Sequence, residues 1–141
     1  MAEHLKTGRL GEEIALRLLE EKGYIIHERN WVYGNKELDL IAQEGQDMVF
    51  VEVKTRRGNA YGTALQAVDE AKRRNMIAAA NHYIQMRCLR LNTRFDIIAI
   101  EVAPDGSYTV EHIPNAFYPT LELLRGGRRR LSLGGRIPKQ K

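Results

Sequence analysis

Two neighbouring segments of the chain place charged residues where buried strands are normally apolar. Residues 37–42 read ELDLIA and residues 48–54 read MVFVEVK. Asp39 and Glu52 supply two carboxylates, and Lys54 supplies an ammonium group. These three groups are the minimum equipment for metal-assisted cleavage of a phosphodiester bond.

The strand period places the two charged groups of the second segment together. Side chains alternate across a strand, so Glu52 and Lys54 share one face. The opposite face carries the apolar side chains that we expect in a core: Val49, Val51 and Val53.

A polar link joins the two segments. Residues 43–47 include a glycine, which predicts an antiparallel hairpin. Asp39 is expected to point away from Leu38 and Leu40, and in the hairpin it can come alongside Glu52. The strand register decides whether it does, and the sequence does not fix the register.

Two buried carboxylates at close range are costly, and a divalent cation bound between them removes that cost. Carboxylate oxygens and water suit Mg²⁺ or Mn²⁺. Lys54 would then orient the attacking water or neutralise the phosphate. The structural alternative is an ion-pair ladder of Asp39, Glu52 and Lys54 on a solvent-facing sheet.

Hydrophobic periodicity predicts an α/β fold in which a mixed sheet is flanked by helices, in the order α-β-β-β-α-β-β. The strands around Val49 and Ile97 are apolar enough to be central. Asp69 is a cap or break within the second helical region. The predicted helices are 7–22 and 64–86, and the predicted strands are 24–28, 37–42, 48–55, 95–102 and 108–113, with a loop at 30–36.

The charge is unevenly distributed along the 141 residues. Residues 125–141 carry seven basic and no acidic side chains, whereas residues 1–124 carry 15 basic and 18 acidic ones. We therefore predict one domain over 1–124 and a Gly/Arg-rich, disordered tail over 125–141. The tail either attracts polyanions or is a solubilising appendage.

The remaining composition predicts a cytoplasmic protein without a membrane segment. No apolar run has the length of a transmembrane helix, and the N-terminus lacks a signal-peptide core. Cys88 is the single cysteine, which excludes an internal disulfide and a cysteine zinc cluster.

Further cations could hold phosphate groups. Arg56 and Arg57 directly follow the strand that carries Lys54, so they are candidates for phosphate contacts, with loop solvation as the alternative.

Several ordered motifs resemble those of the YraN-like proteins, a family of small uncharacterised bacterial proteins. These are similar in turn to Holliday-junction resolvases and to PD-(D/E)xK, or restriction-endonuclease-like, nucleases. The resemblance covers most of residues 7–118. Its motifs are GRLGEEIA at 8–15, GY at 23–24, RNW at 29–31, ELDLI at 37–41, FVEVKTR at 50–56, YG at 61–62, Val68, Lys72, RFD at 94–96 and NAF at 115–117.

The resemblance implies roles for individual residues. Asp39 and Glu52 would be metal ligands, with the Val53 carbonyl as a third, and Lys54 would be the catalytic lysine. A carboxylate from the first helix often joins such sites, and Glu13 is the matching position.

Accessory roles are implied for four more residues. Glu37 could assist Asp39 or be a surface charge, and Gln66 could approach the site. Lys72 matches a family position and is a candidate for nucleic-acid binding. Lys36 replaces a glycine usual in the family, which adds a cation that could bind phosphate or alter the turn.

These observations predict a nuclease dependent on Mg²⁺ or Mn²⁺ that acts on nucleic acid, with DNA, including branched DNA, favoured over RNA. By resemblance to resolvases it would form a homodimer. The alternative is a non-catalytic nucleic-acid-binding module that keeps the nuclease fold.

Overall fold

A five-stranded sheet with one helix on each face forms the described part of the chain. The structure, a computed structural model, describes residues 2–58 and 62–119, with side chains from residue 8 onward. The elements are α1 (Ala2–Glu21), β1 (Ile25–Tyr33), β2 (Lys36–Glu44), β3 (Asp47–Arg57), α2 (Glu70–Arg87), β4 (Asn92–Val102) and β5 (Tyr108–Phe117). The predicted α/β fold and its order are confirmed. The predicted tail at 125–141 lies outside the described residues.

The strands lie side by side in chain order, β1-β2-β3-β4-β5. All neighbours are antiparallel except β3 and β4, which are parallel and joined through α2. A parallel connection needs a crossover element, and α2 is that element. β3 and β4 are central, as their apolar sequences predict.

Each face of the sheet has its own core. Leu38, Phe50 and Phe95 pack with Met76 and Tyr83 of α2. On the other face, α1 contributes Ala15 and Leu19, and the sheet contributes chiefly Val49, Val51, Ile98 and Ile100. Val53 packs at the margin of this second core, so the predicted apolar face of β3 is confirmed.

Two predicted boundaries were wrong. The predicted loop at 30–36 is mostly strand, because β1 continues past a bulge and Trp31 packs edge-on against Tyr83 at 5.2 Å. The predicted helix at 64–86 begins only at Glu70. The Asp69 side chain caps this helix by accepting a hydrogen bond from the Lys72 N–H at 2.9 Å. Of the two roles predicted for Asp69, a cap or a break, the structure shows the cap.

Candidate active site

The β2–β3 hairpin brings Asp39 beside Glu52. The antiparallel register pairs Leu40 with Val51, so the preceding residue of β2, Asp39, falls opposite Glu52. There the Asp39 side chain takes the place of a backbone partner: its Oδ2 accepts a hydrogen bond from the Val53 N–H at 2.8 Å. The proximity that the sequence allowed but did not fix is therefore present.

β2 is irregular at Asp39. Leu38 packs on the α2 face whereas Leu40 packs on the α1 face, although residues two apart normally share a face. The expectation that Leu38 and Leu40 point the same way was wrong. This break in alternation turns the Asp39 carboxylate towards the backbone of β3.

An open cleft of about 380 Å³ lies between the N-terminal half of α1 and the last residues of β3. Asp39, Glu52 and Lys54 all line it, so the predicted triad comes together. The described residues that line it are Gly8, Glu12, Asp39, Glu52, Val53, Lys54, Thr55 and Arg57.

Gly11 sets the distance between α1 and the cleft. A Cβ atom at this position would lie 2.0 Å from the Thr55 Oγ1 atom and 3.2 Å from the Thr55 Cβ. A side chain there would push the helix off β3. Glycine therefore allows α1 to bring its own residues to the cleft wall.

Glu52 is a nearly fully buried carboxylate that lies beside Asp39. The residue is 8% exposed, and its Oε1 atom is buried without a hydrogen bond to any described residue. Burial, followed by repulsion from Asp39, raises the pKa of Glu52 to about 8. Burial also raises the pKa of Asp39, and the Val53 N–H and the charge of Lys72 oppose that rise.

Lys72 approaches the same carboxylate from the first turn of α2. Its Nζ lies 3.5 Å from Glu52 Oε1, an ion pair without hydrogen-bond geometry. The ammonium opposes the rise in pKa of both Glu52 and Asp39. Lys72, a predicted nucleic-acid contact, therefore lies at the carboxylate pair itself.

The structure places Glu12, and not Glu13, in the cleft. Glu13 is half exposed and forms an ion pair with Arg29 at 2.8 Å. Burial, followed by the charge of Asp39, raises the pKa of Glu12. Glu13, the position that the resemblance implies as a ligand, therefore does not line the cleft.

Helical phase is the signal that could have identified Glu12. Gly8, Gly11 and Ala15 recur at the spacing of one helix face, and small residues mark a face that packs closely. Glu12 borders that face, whereas Glu13 lies about 100° further round the helix.

Arg56 and Gln66 are not at the cleft. Arg56 forms an ion pair with Glu101, its neighbour in the parallel register of β3 and β4, and donates a hydrogen bond to the Gly62 carbonyl. Gln66 Oε1 accepts from the Thr63 N–H at 2.8 Å, which closes a local turn. Of the predicted arginine pair, Arg57 lines the cleft.

Lys36 and Glu37 flank the site at the start of β2. The Lys36 ammonium donates a hydrogen bond to Asn35 Oδ1 in the β1–β2 turn and does not line the cleft. Glu37 is exposed, but its charge contributes to the raised pKa of Asp39. Glu37 therefore acts electrostatically on Asp39 although it does not line the cleft.

The cleft suits a cation held by few protein ligands. Across residues 2–58 and 62–119, no three His, Cys, Asp or Glu side chains form a ready metal-binding group. Mg²⁺, however, is commonly bound through one or two carboxylates and keeps several waters. Asp39, Glu52 with its unsatisfied Oε1, and the adjacent Val53 fit that mode.

The RFD and NAF motifs build a different feature, on β4 and β5. Asp96 is fully buried and accepts hydrogen bonds from Arg94 at 2.9 Å, from His112 Nε2 at 2.8 Å and from the Asn115 N–H at 2.9 Å. Arg94 also contacts Tyr24, Glu44 and Asp47. This network ties β4 and β5 to the start of β1 and to the β2–β3 turn.

Sequence comparisons relate the chain to proteins without an assigned function. The family model "Uncharacterised protein family UPF0102" matches residues 11–100. A UPF0102 protein of Phocaeicola vulgatus is 42% identical over 121 residues, which is 86% of this chain and 99% of the relative. A UPF0102 protein of Porphyromonas gingivalis is 44% identical over 118 residues (83% and 87%), and one of Flavobacterium johnsoniae is 43% identical over 122 residues (84% and 98%).

The helices in residues 2–58 and 62–119 lack the properties of a membrane span. Neither α1 nor α2 is long and apolar enough to cross a bilayer.

Proposed function

The chain belongs to the uncharacterised protein family UPF0102, and we propose that this member is a metal-dependent nuclease that hydrolyses phosphodiester bonds in nucleic acid. DNA, including branched DNA, is the favoured substrate. The proposal extends to a cytoplasmic location and a homodimer, both of which come from the sequence and the family resemblance.

One observation carries the proposal: Glu52 Oε1 is buried beside Asp39 without a hydrogen bond to any described residue, in a cleft that is open to solvent. A purely structural carboxylate would be hydrogen-bonded, because an unsatisfied buried acceptor costs about 1–3 kcal/mol. A buried carboxylate oxygen that lacks a hydrogen bond and lies in a cleft therefore belongs to a candidate functional group.

Asp39 and Glu52 would hold Mg²⁺ or Mn²⁺, with the Val53 carbonyl beside them. When bound, the cation would supply Lewis-acid stabilisation of the phosphate and lower the pKa of the attacking water. Glu12 would add negative charge at the same cleft wall.

Lys54 lies in the same cleft as the carboxylates and would contact the scissile phosphate. Hydrolysis joins a water oxygen to phosphorus and breaks one ester bond, giving a phosphomonoester and an alcohol. The ammonium of Lys54 would donate hydrogen bonds to a non-bridging oxygen as charge develops, or position the water. Arg57, at the end of β3, would hold a neighbouring phosphate.

The test is cleavage of labelled supercoiled, linear, branched and single-stranded DNA and of RNA, with Mg²⁺ or Mn²⁺. Asp39→Asn and Lys54→Met should each reduce the cleavage rate by at least about 100-fold. Glu13→Gln, outside the cleft, should retain wild-type cleavage and serves as the matched control.

Two results would contradict the proposal. Cleavage that survives Asp39→Asn would belong to another site or to a contaminant. Binding of nucleic acid without cleavage, in the presence of either metal, would favour the non-catalytic binding module.

A further inference from the structure

Three consecutive cations, Lys72, Arg73 and Arg74, lie near the start of α2, and they have different surroundings. Arg73 donates hydrogen bonds to the Val68 and Leu65 carbonyls, each at 2.8 Å. Arg74 forms an ion pair with Glu70 one turn earlier, at 3.8 Å. Lys72 instead extends to Glu52 in the cleft.

The position of Lys72 is electrostatically unfavourable for its own helix. It is the third residue after the Asp69 cap, where the positive end of the helix dipole disfavours a cation. Its backbone is held by the cap, at 2.9 Å, so the stem begins at a fixed point. The site that stabilises the ammonium is therefore the Asp39–Glu52 pair.

The ammonium is near that pair but weakly held. It lies 3.5 Å from Glu52 Oε1 without hydrogen-bond geometry, and its side chain is 37% exposed. A lysine stem has several rotatable bonds, so the ammonium can leave Glu52 without any change in the backbone.

We propose that Lys72 is an exchangeable counter-ion of the Asp39–Glu52 pair, which neutralises the pair until a divalent cation displaces it. The displaced ammonium then becomes available to a substrate phosphate. This inference rests on the proposed function, because it needs a cation site at the pair.

Charge repulsion drives the exchange. A dication between Asp39 and Glu52 would lie a few ångströms from the ammonium, and like charges at that distance repel strongly in a partly buried site. Both would also compete for Glu52 Oε1. Binding of a phosphate by the displaced Lys72 would offset the repulsion, so metal and substrate should bind cooperatively.

The test is calorimetric titration of the full-length chain with Mg²⁺ at pH 9, above the pKa of Glu52. Lys72→Met removes the charge and keeps an apolar stem, and it should bind Mg²⁺ at least about tenfold more tightly than wild type. Lys72→Arg keeps the charge and should stay close to wild type. Arg74→Met is the matched control and should not change the affinity.

Equal or weaker Mg²⁺ binding by Lys72→Met would overturn the exchange and leave the proposed function standing, provided that wild type binds. Absence of Mg²⁺ binding in wild type and in every variant would overturn both. If Lys72→Met does not fold, Lys72→Gln removes the same charge and carries the same expectation.

Discussion

Two buried carboxylates on adjacent strands of one sheet have opposite surroundings. Asp96 on β4 is fully buried and has hydrogen-bond donors from Arg94, His112 and the Asn115 backbone. Glu52 on β3 is nearly as buried, but its Oε1 has no hydrogen bond to a described residue and lies 3.5 Å from the Lys72 ammonium.

The pKa values of the two groups follow these surroundings. Burial alone would raise the pKa of Asp96, but hydrogen bonds from His112 and Arg94 outweigh it and hold the pKa below its ordinary value. Burial, then Asp39, raises the pKa of Glu52 to about 8. Burial alone therefore does not make a carboxylate a candidate functional group; a shortage of compensating donors among the described residues does.

The largest expected effect comes from removing the satisfied carboxylate. Asp96→Ala removes the buried acceptor shared by Arg94, His112 and the Asn115 N–H, and it should reduce the free energy of unfolding by about 3–5 kcal/mol. Urea denaturation measures this. Glu111→Ala, exposed on β5, is the control and should change it by less than about 0.5 kcal/mol. A small loss in Asp96→Ala would remove the distinction between the two carboxylates.

Neutralising the unsatisfied carboxylate should have the opposite sign. Glu52→Gln removes a charge that is costly to bury, and without metal it should stabilise the fold at pH 8.5 by a few kcal/mol, for which the shift from 4.5 to about 8 sets an upper bound of about 5 kcal/mol. Denaturation of both proteins across the pH range measures the difference.

The pH dependence follows from the raised pKa of Glu52. Folded Glu52 keeps its proton up to about pH 8, whereas the unfolded group loses it near its ordinary value of 4.5. The folded state therefore binds more protons between these values, and the contribution of Glu52 to stability decreases as the pH rises through this window. Glu52→Gln should lack this decrease. If this variant is less stable than wild type at pH 8.5, Glu52 is not the group with the raised pKa.

The smallest expected effect distinguishes two adjacent glutamates. Glu12→Gln removes a cleft charge and should weaken Mn²⁺ binding about fivefold, or roughly 1 kcal/mol. Glu13→Gln removes an exposed charge paired with Arg29 and should leave the affinity unchanged. Calorimetry with Mn²⁺ measures the affinity of both variants. A larger loss of affinity in Glu13→Gln than in Glu12→Gln would place Glu13 at the metal site instead.

The sequence was sufficient for features that depend on local pattern. Alternation on β3 placed Glu52 and Lys54 together, and the polar link at 43–47 predicted the hairpin that brings in Asp39. These predictions needed only the two-residue alternation of side chains along a strand and the composition of one turn.

Other features depend on partners distant in the sequence. Arg56 lies away from the cleft because β4 places Glu101 beside it, and no pattern near Arg56 reveals that neighbour. The Asp96 network likewise needs donors from β5 as well as from β4. The sequence identified Lys72 as a candidate nucleic-acid contact, but its approach to Glu52 depends on how α2 packs against the sheet.

The measurement that most directly tests the central claim is a titration with Mn²⁺ followed by two-dimensional ¹H–¹⁵N NMR. Paramagnetic Mn²⁺ broadens the amide signals of residues around its binding site. We expect substoichiometric Mn²⁺ to broaden Leu40 and Val53 most strongly and to leave Gly45 and Asn92, at the opposite end of the β2–β3 hairpin and of β4, sharp. Broadening centred on the Asp96 network, or none at the cleft, would contradict the claim that the Asp39–Glu52 pair binds a divalent cation.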